Sequence, residues 1–76
     1  MEPYKNLGKP SGVVSYDIGV DFIKVSFKTT PKIYVYTHIK PGLLHVNKMK
    51  EHAIAGHGLQ TYINQHRSAG FSHTEP

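Results

Sequence analysis

The chain of 76 residues has no cysteine, which excludes a disulfide framework and any thiolate metal site. That fits a reducing compartment, and a cytoplasmic protein is expected. Acidic residues are few. Five Asp and Glu stand against nine Lys and Arg, a formal charge of +4 with a sequence pI near 9.5. Little is left for paired-carboxylate chemistry, and Asp17 and Asp21 flank a turn, where turn chemistry explains them. Long apolar runs are missing, so no membrane-spanning segment is expected. Met1 to Lys9 is polar and holds Pro3, unlike the apolar region of a signal peptide. Internal repeats and low-complexity segments are absent as well.

Catalytic and metal-binding patterns are equally scarce. Six histidines are present, but none has the i, i+4 helical partner that a two-histidine metal motif uses. His45 and His52 share a helical stripe, yet seven residues amount to about 10.5 Å of rise, too far for one ion. Solvent-exposed histidines, no metal and no cofactor are therefore expected. Gly-x-Ser-x-Gly does not occur. Gly56-His57-Gly58 lacks a third glycine and follows a helical pattern, so a phosphate loop is a poor reading. The expectation is a protein that is not an enzyme.

What the chain does contain is centred on Phe22 to Ile39. Two runs rich in β-branched and aromatic residues flank Thr29-Thr30-Pro31-Lys32, which is a hairpin signal. In the first run Ile23, Val25 and Phe27 alternate with Lys24, Ser26 and Lys28, giving one apolar and one charged face. The second is apolar on both faces, with Ile33 and Val35 on one and Tyr34 and Tyr36 on the other. Ahead of them Val14, Tyr16 and Ile18 fall on one side of a third strand, joined through Gly19 to Asp21. Short connections make the three an antiparallel meander.

After Lys40-Pro41-Gly42 the spacing predicts a helix from Leu43 to Gly56. Leu43, Val46, Met49, Ala53 and Ile54 share one arc, with His45, Lys48, Glu51 and His52 opposite. Lys50 lies within the apolar arc, so its stem must run along the core edge. A continuous helix would turn Leu59, Tyr62 and Ile63 away from that arc, so Gly56 to Gly58 must break it and a second short helix follows. The fold class expected is α+β: a three-stranded antiparallel β-meander packed on one face by an α-helix, followed by a second short helix. Residues 13–66 form this single domain, 1–12 a flexible arm and 67–76 a frayed tail.

A basic balance favours polyanions. Exposed aromatics ringed by cations are how sheet-type domains hold single-stranded nucleic acid. Lys24, Lys28, Lys32 and Lys40 would neutralise phosphates, with Tyr34 and Tyr36 as stacking groups. The hairpin register decides whether this works. Phe27 opposite Tyr34 sends the tyrosines into the core; Phe27 opposite Ile33 or Val35 puts them beside Lys24 and Lys28 on the open face. The two registers stay open. A protein-interaction module is the alternative, using Ile33 and Val35 as an apolar patch or an unprotected sheet edge. A monomer that does not engage membranes is expected.

Ser15-Tyr16-Asp17, Ile23-Lys24-Val25-Ser26-Phe27, Tyr34-Val35-Tyr36-Thr37-His38-Ile39 and Tyr62-Ile63-Asn64 together resemble the KTSC domain. This small module is named after C-terminal extensions of lysyl-tRNA synthetases. The likeness covers roughly residues 13 to 66, with Lys40 separating Ile39 from Pro41 where the family has an adjoining Val-Pro. It implies a compact α+β domain without known catalytic residues and a nucleic-acid role, RNA before DNA.

Overall fold

The computed structural model describes residues 1–8 and 11–76. Among the described residues five antiparallel strands form one sheet in chain order: β1 (Glu2–Pro3), β2 (Val13–Ile18), β3 (Phe22–Phe27), β4 (Ile33–Thr37) and β5 (His73–Glu75). Between β4 and β5 run α1 (Leu43–Ala55), α2 (Leu59–Gln65) and a 3₁₀ turn (Arg67–Ala69). The α+β class is as expected, and the meander β2–β3–β4 is its centre. Two further strands flank it. Among the described residues no helix is long and apolar enough to cross a membrane.

Register settles the faces. Val25 lies opposite Tyr34 and Ile23 opposite Tyr36, so both tyrosines share the side of the sheet that α1 covers. Ile23, Val25, Val46, Met49, Ala53 and Leu59 form the buried centre. In β2 a bulge between Val13 and Ser15 turns Val13 inward, while Val14, expected there, is exposed. An extra residue in one strand reverses the alternation on one side of it.

The helices follow their punctuation. Gly56 ends α1 in the left-handed conformation (φ 80), donating its N–H to the His52 and Ala53 carbonyls. Gly58 repeats that conformation (φ 85) ahead of α2. Glycine takes such angles without the Cβ conflict other residues meet. Val46, Met49 and Ala53 are the buried stripe of α1, whereas Leu43 and Ile54 remain exposed, because the sheet meets only the centre of the arc. Lys50 extends along the core edge and donates to the carbonyls of Gly19 (2.9 Å) and Val20 (3.3 Å), holding the β2–β3 turn against α1.

Both terminal segments, expected to be loose, are parts of the fold. Tyr4 is buried and its hydroxyl oxygen accepts the Leu59 N–H (3.2 Å). Leu7 N–H donates to the Gly56 carbonyl (2.7 Å), and β1 pairs with β2. Residues 9 and 10 of the expected arm lie outside the described residues. At the other end β5 pairs with β4 and Phe71 packs edge-on to Tyr34 and Tyr36. A single large aromatic in each segment has enough apolar area to fix a strand of two or three residues. Of the expected protein-docking surfaces, Ile33 is half-buried, and the outer edges of the sheet are those of β1 and β5. The β4 edge is taken by β5, and Val35 is only 3% exposed.

Candidate functional site

A hollow of about 410 Å³ opens between the β3–β4 hairpin and the segment formed by α2 and the 3₁₀ turn. Sequence alternation supplies one wall: Phe27, Tyr34 and Tyr36 face inward from neighbouring strands. Phe71 closes over them. Its ring meets Tyr34 edge-on at 4.8 Å and Tyr36 at 6.4 Å, and Phe27 meets Tyr34 at 5.5 Å. Edge-to-face rings of this kind are a favourable arrangement of aromatic quadrupoles. Tyr36 is the deepest, at 4% exposure. Burial, with Tyr34 beside it, pushes its phenol pKa up to about 12.

The opposite wall is polar. Helical spacing places Gln60, Asn64 and Arg67 along one side of α2 and its extension, all lining the hollow. The Asn64 Oδ1 accepts from Arg67 Nη2 (3.2 Å) and from Gln60 Nε2 (3.4 Å). Gln60 Oε1 accepts the Gly12 N–H (3.1 Å). Thr29 and Thr30 of the hairpin loop close one end, and Lys28 and Lys32 flank them in the chain, both exposed. At the other end Gly70 lines the hollow, and a Cβ built there would lie 3.1 Å from Lys40 Cε. Arg67 thus lines the aromatic trough and Lys40 adjoins it.

The expected nucleic-acid residues divide accordingly. Lys40 reaches the trough beside Gly70, where Tyr34 lines it; Lys28 and Lys32 only border in sequence the Thr29 and Thr30 that line it. Lys24 does neither. It is on the other face of the sheet, with its ammonium 3.0 Å from Glu75 Oε1 and 5.5 Å from the Phe22 ring centre. The hydrogen bond from Lys24 holds the Glu75 carboxyl below its ordinary pKa. Tyr36 is too deep to be a stacking platform on an open face, because the register buries it under Phe71 and α1. Arg67, Asn64, Gln60 and Phe71 escaped the sequence reading. Asn64 and Arg67 carry only a three-residue spacing as a signal, and Phe71 stands alone in a polar tail.

The histidines also depart from expectation. Instead of facing solvent, His45, His52 and His66 are half-buried around Tyr62. His45 Nδ1 is 2.7 Å from the Tyr62 hydroxyl, and the His66 ring stacks on the Tyr62 ring at 4.2 Å. Burial raises the Tyr62 phenol pKa. The cluster joins α1 to α2, and among the described residues no group of His, Asp and Glu is arranged to hold a metal ion. No protein-family model, curated protein or solved structure matches the chain.

Proposed function

We propose that this domain is a non-catalytic nucleic-acid-binding module, for RNA before DNA, and that the aromatic trough is its binding surface. One observation carries the reading: the rings of Tyr34 and Phe71 share one hollow with Arg67, and Lys40 adjoins it at Gly70. A single strand has unstacked bases free to enter such a trough while its phosphates meet the flanking cations. The likeness to the KTSC domain favours RNA.

The test is anisotropy titration of the purified protein with labelled single-stranded RNA at several salt concentrations. Each neutralised phosphate contributes a log–log slope of about −0.7, so three or four engaged cations give about −2 to −3. Lys28→Ala, Lys32→Ala and Lys40→Ala should each lower that slope by less than one unit and weaken all sequences alike. Lys24→Ala should leave it unchanged. A folded protein with no salt-sensitive binding to RNA or DNA discards the proposal.

A further inference from the structure

The rim of the trough is unusual in its hydrogen-bond polarity. Of the amide oxygens that α2 presents at the rim, Gln60 Oε1 accepts the Gly12 N–H and Asn64 Oδ1 accepts from Arg67 and Gln60. Thr30 Oγ1 accepts the Lys32 N–H (3.2 Å), which leaves its hydroxyl proton to give. The His66 Nδ1 is committed to the Tyr62 carbonyl (2.9 Å) and must therefore carry the proton there. Its Nε2 is left as a ring acceptor on this wall. The donors left to offer a ligand are the Asn64 amino group, the rest of the Arg67 guanidinium, the Thr30 hydroxyl and the Lys40 ammonium beside Gly70.

Such a set selects a ligand rich in acceptors and negative charge. A phosphodiester within a strand brings one charge and two free oxygens. A phosphate monoester carries about −1.5 to −2 and three strong acceptor oxygens, and a guanidinium fork matches it. The aromatic wall of Tyr34 and Phe71 suits a flat ring, and a hollow of about 410 Å³ falls within the range of small-molecule sites.

We infer that the trough takes a phosphate monoester joined through a sugar to a flat base, a nucleoside monophosphate, as its minimal ligand. The inference rests on the nucleic-acid reading and sharpens it. The monophosphate could be free or the phosphorylated end of an RNA strand, since both present the same group.

The experiment follows the amide NMR spectrum of the intact protein on addition of adenosine 5′-monophosphate, adenosine or inorganic phosphate. Two short RNAs, 5′-phosphorylated and 5′-hydroxyl, are titrated in parallel. The monophosphate should shift residues around Tyr34, Asn64 and Phe71 and bind about tenfold or more tightly than either of its parts, as loss of charge-assisted hydrogen bonds implies. Asn64→Asp exchanges donors for a negative acceptor at an exposed position, and Arg67→Gln removes the fork. Each should weaken the monophosphate by about tenfold or more while the fold persists. Tighter binding of the phosphorylated RNA identifies the strand end as the source; equal binding of the two RNAs identifies the free nucleotide. Salt-sensitive RNA binding without any monophosphate effect overturns this inference and leaves the nucleic-acid proposal standing. Monophosphate binding unaltered in both variants also overturns it. Absence of both kinds of binding removes the two together.

Discussion

Replacing Phe71 with alanine tests whether the C-terminal segment belongs to the core. Phe71 is 39% exposed, so somewhat more than half of the residue is covered, with Tyr34 at 4.8 Å and Tyr36 at 6.4 Å from its ring. Truncating a fully buried phenylalanine costs about 3–5 kcal/mol, and scaling by the covered fraction leaves about 2–3 kcal/mol. A chain of 76 residues has a total stability of about 4–11 kcal/mol at 0.05–0.15 kcal/mol per residue. The substitution should therefore remove a large share of it. There is no tryptophan, so urea unfolding is followed by far-UV circular dichroism and tyrosine fluorescence. With a slope of about 1–1.5 kcal/mol per molar urea, the midpoint should fall by about 1.3–3 M. Val20→Ala, at a residue 93% exposed, is the control and should move it little. A midpoint for Phe71→Ala within about 0.3 M of the parent refutes the packing described for the segment.

Gly58→Ala should lower the thermal midpoint, because a Cβ there would approach His52 Nδ1 to 2.8 Å at φ +85; the left-handed angle alone costs about 1–2 kcal/mol. An unchanged midpoint would contradict the αL cap. Tyr36 has a folded pKa of about 12, above its ordinary 10.0, so stability from its neutral phenol is fully present below pH 10. That stability should be lost as pH rises through 12, and Tyr36→Phe should flatten this alkaline limb in denaturation measured across it. Glu75 has the opposite sign. Its folded pKa is lowered by Lys24, so the associated stability is present above the ordinary carboxylate range and lost as pH falls through the lowered value. An NMR titration of the Glu75 carboxyl in the Lys24→Met variant should show its midpoint return upward, and an unmoved midpoint would break the pairing.

The elements legible in the sequence were those with either strong alternation or unambiguous punctuation. Ile23-Lys24-Val25-Ser26-Phe27 can satisfy only one sheet face, and glycines at 56 and 58 separate two apolar arcs that one helix could not bury together. Lys50 was legible for a similar reason, a long stem confined to an apolar stripe. The register was not, because Ile33 to Tyr36 is apolar on both faces and either parity satisfies the pattern. Strands β1 and β5 were hidden by their brevity, since two or three residues carry no periodicity. The polar wall of the trough was hidden more deeply. Gln60, Asn64 and Arg67 read as an ordinary solvated face, and only the arrival of the hairpin and Phe71 opposite makes them a rim.

The sheet order has a mechanical consequence. With β1 at one edge and β5 at the other, the two ends of the chain leave from opposite sides, four inter-strand spacings or about 19 Å apart. Tension applied between them runs across the strands, along the backbone hydrogen bonds of the ladder. Those bonds are then loaded one after another, as in opening a zipper, and not sheared together. The outer strands, with two and three residues, should peel away at low force and take Tyr4 and Phe71 with them. The trough would lose its Phe71 lid while the central meander, still covered by α1, stays intact.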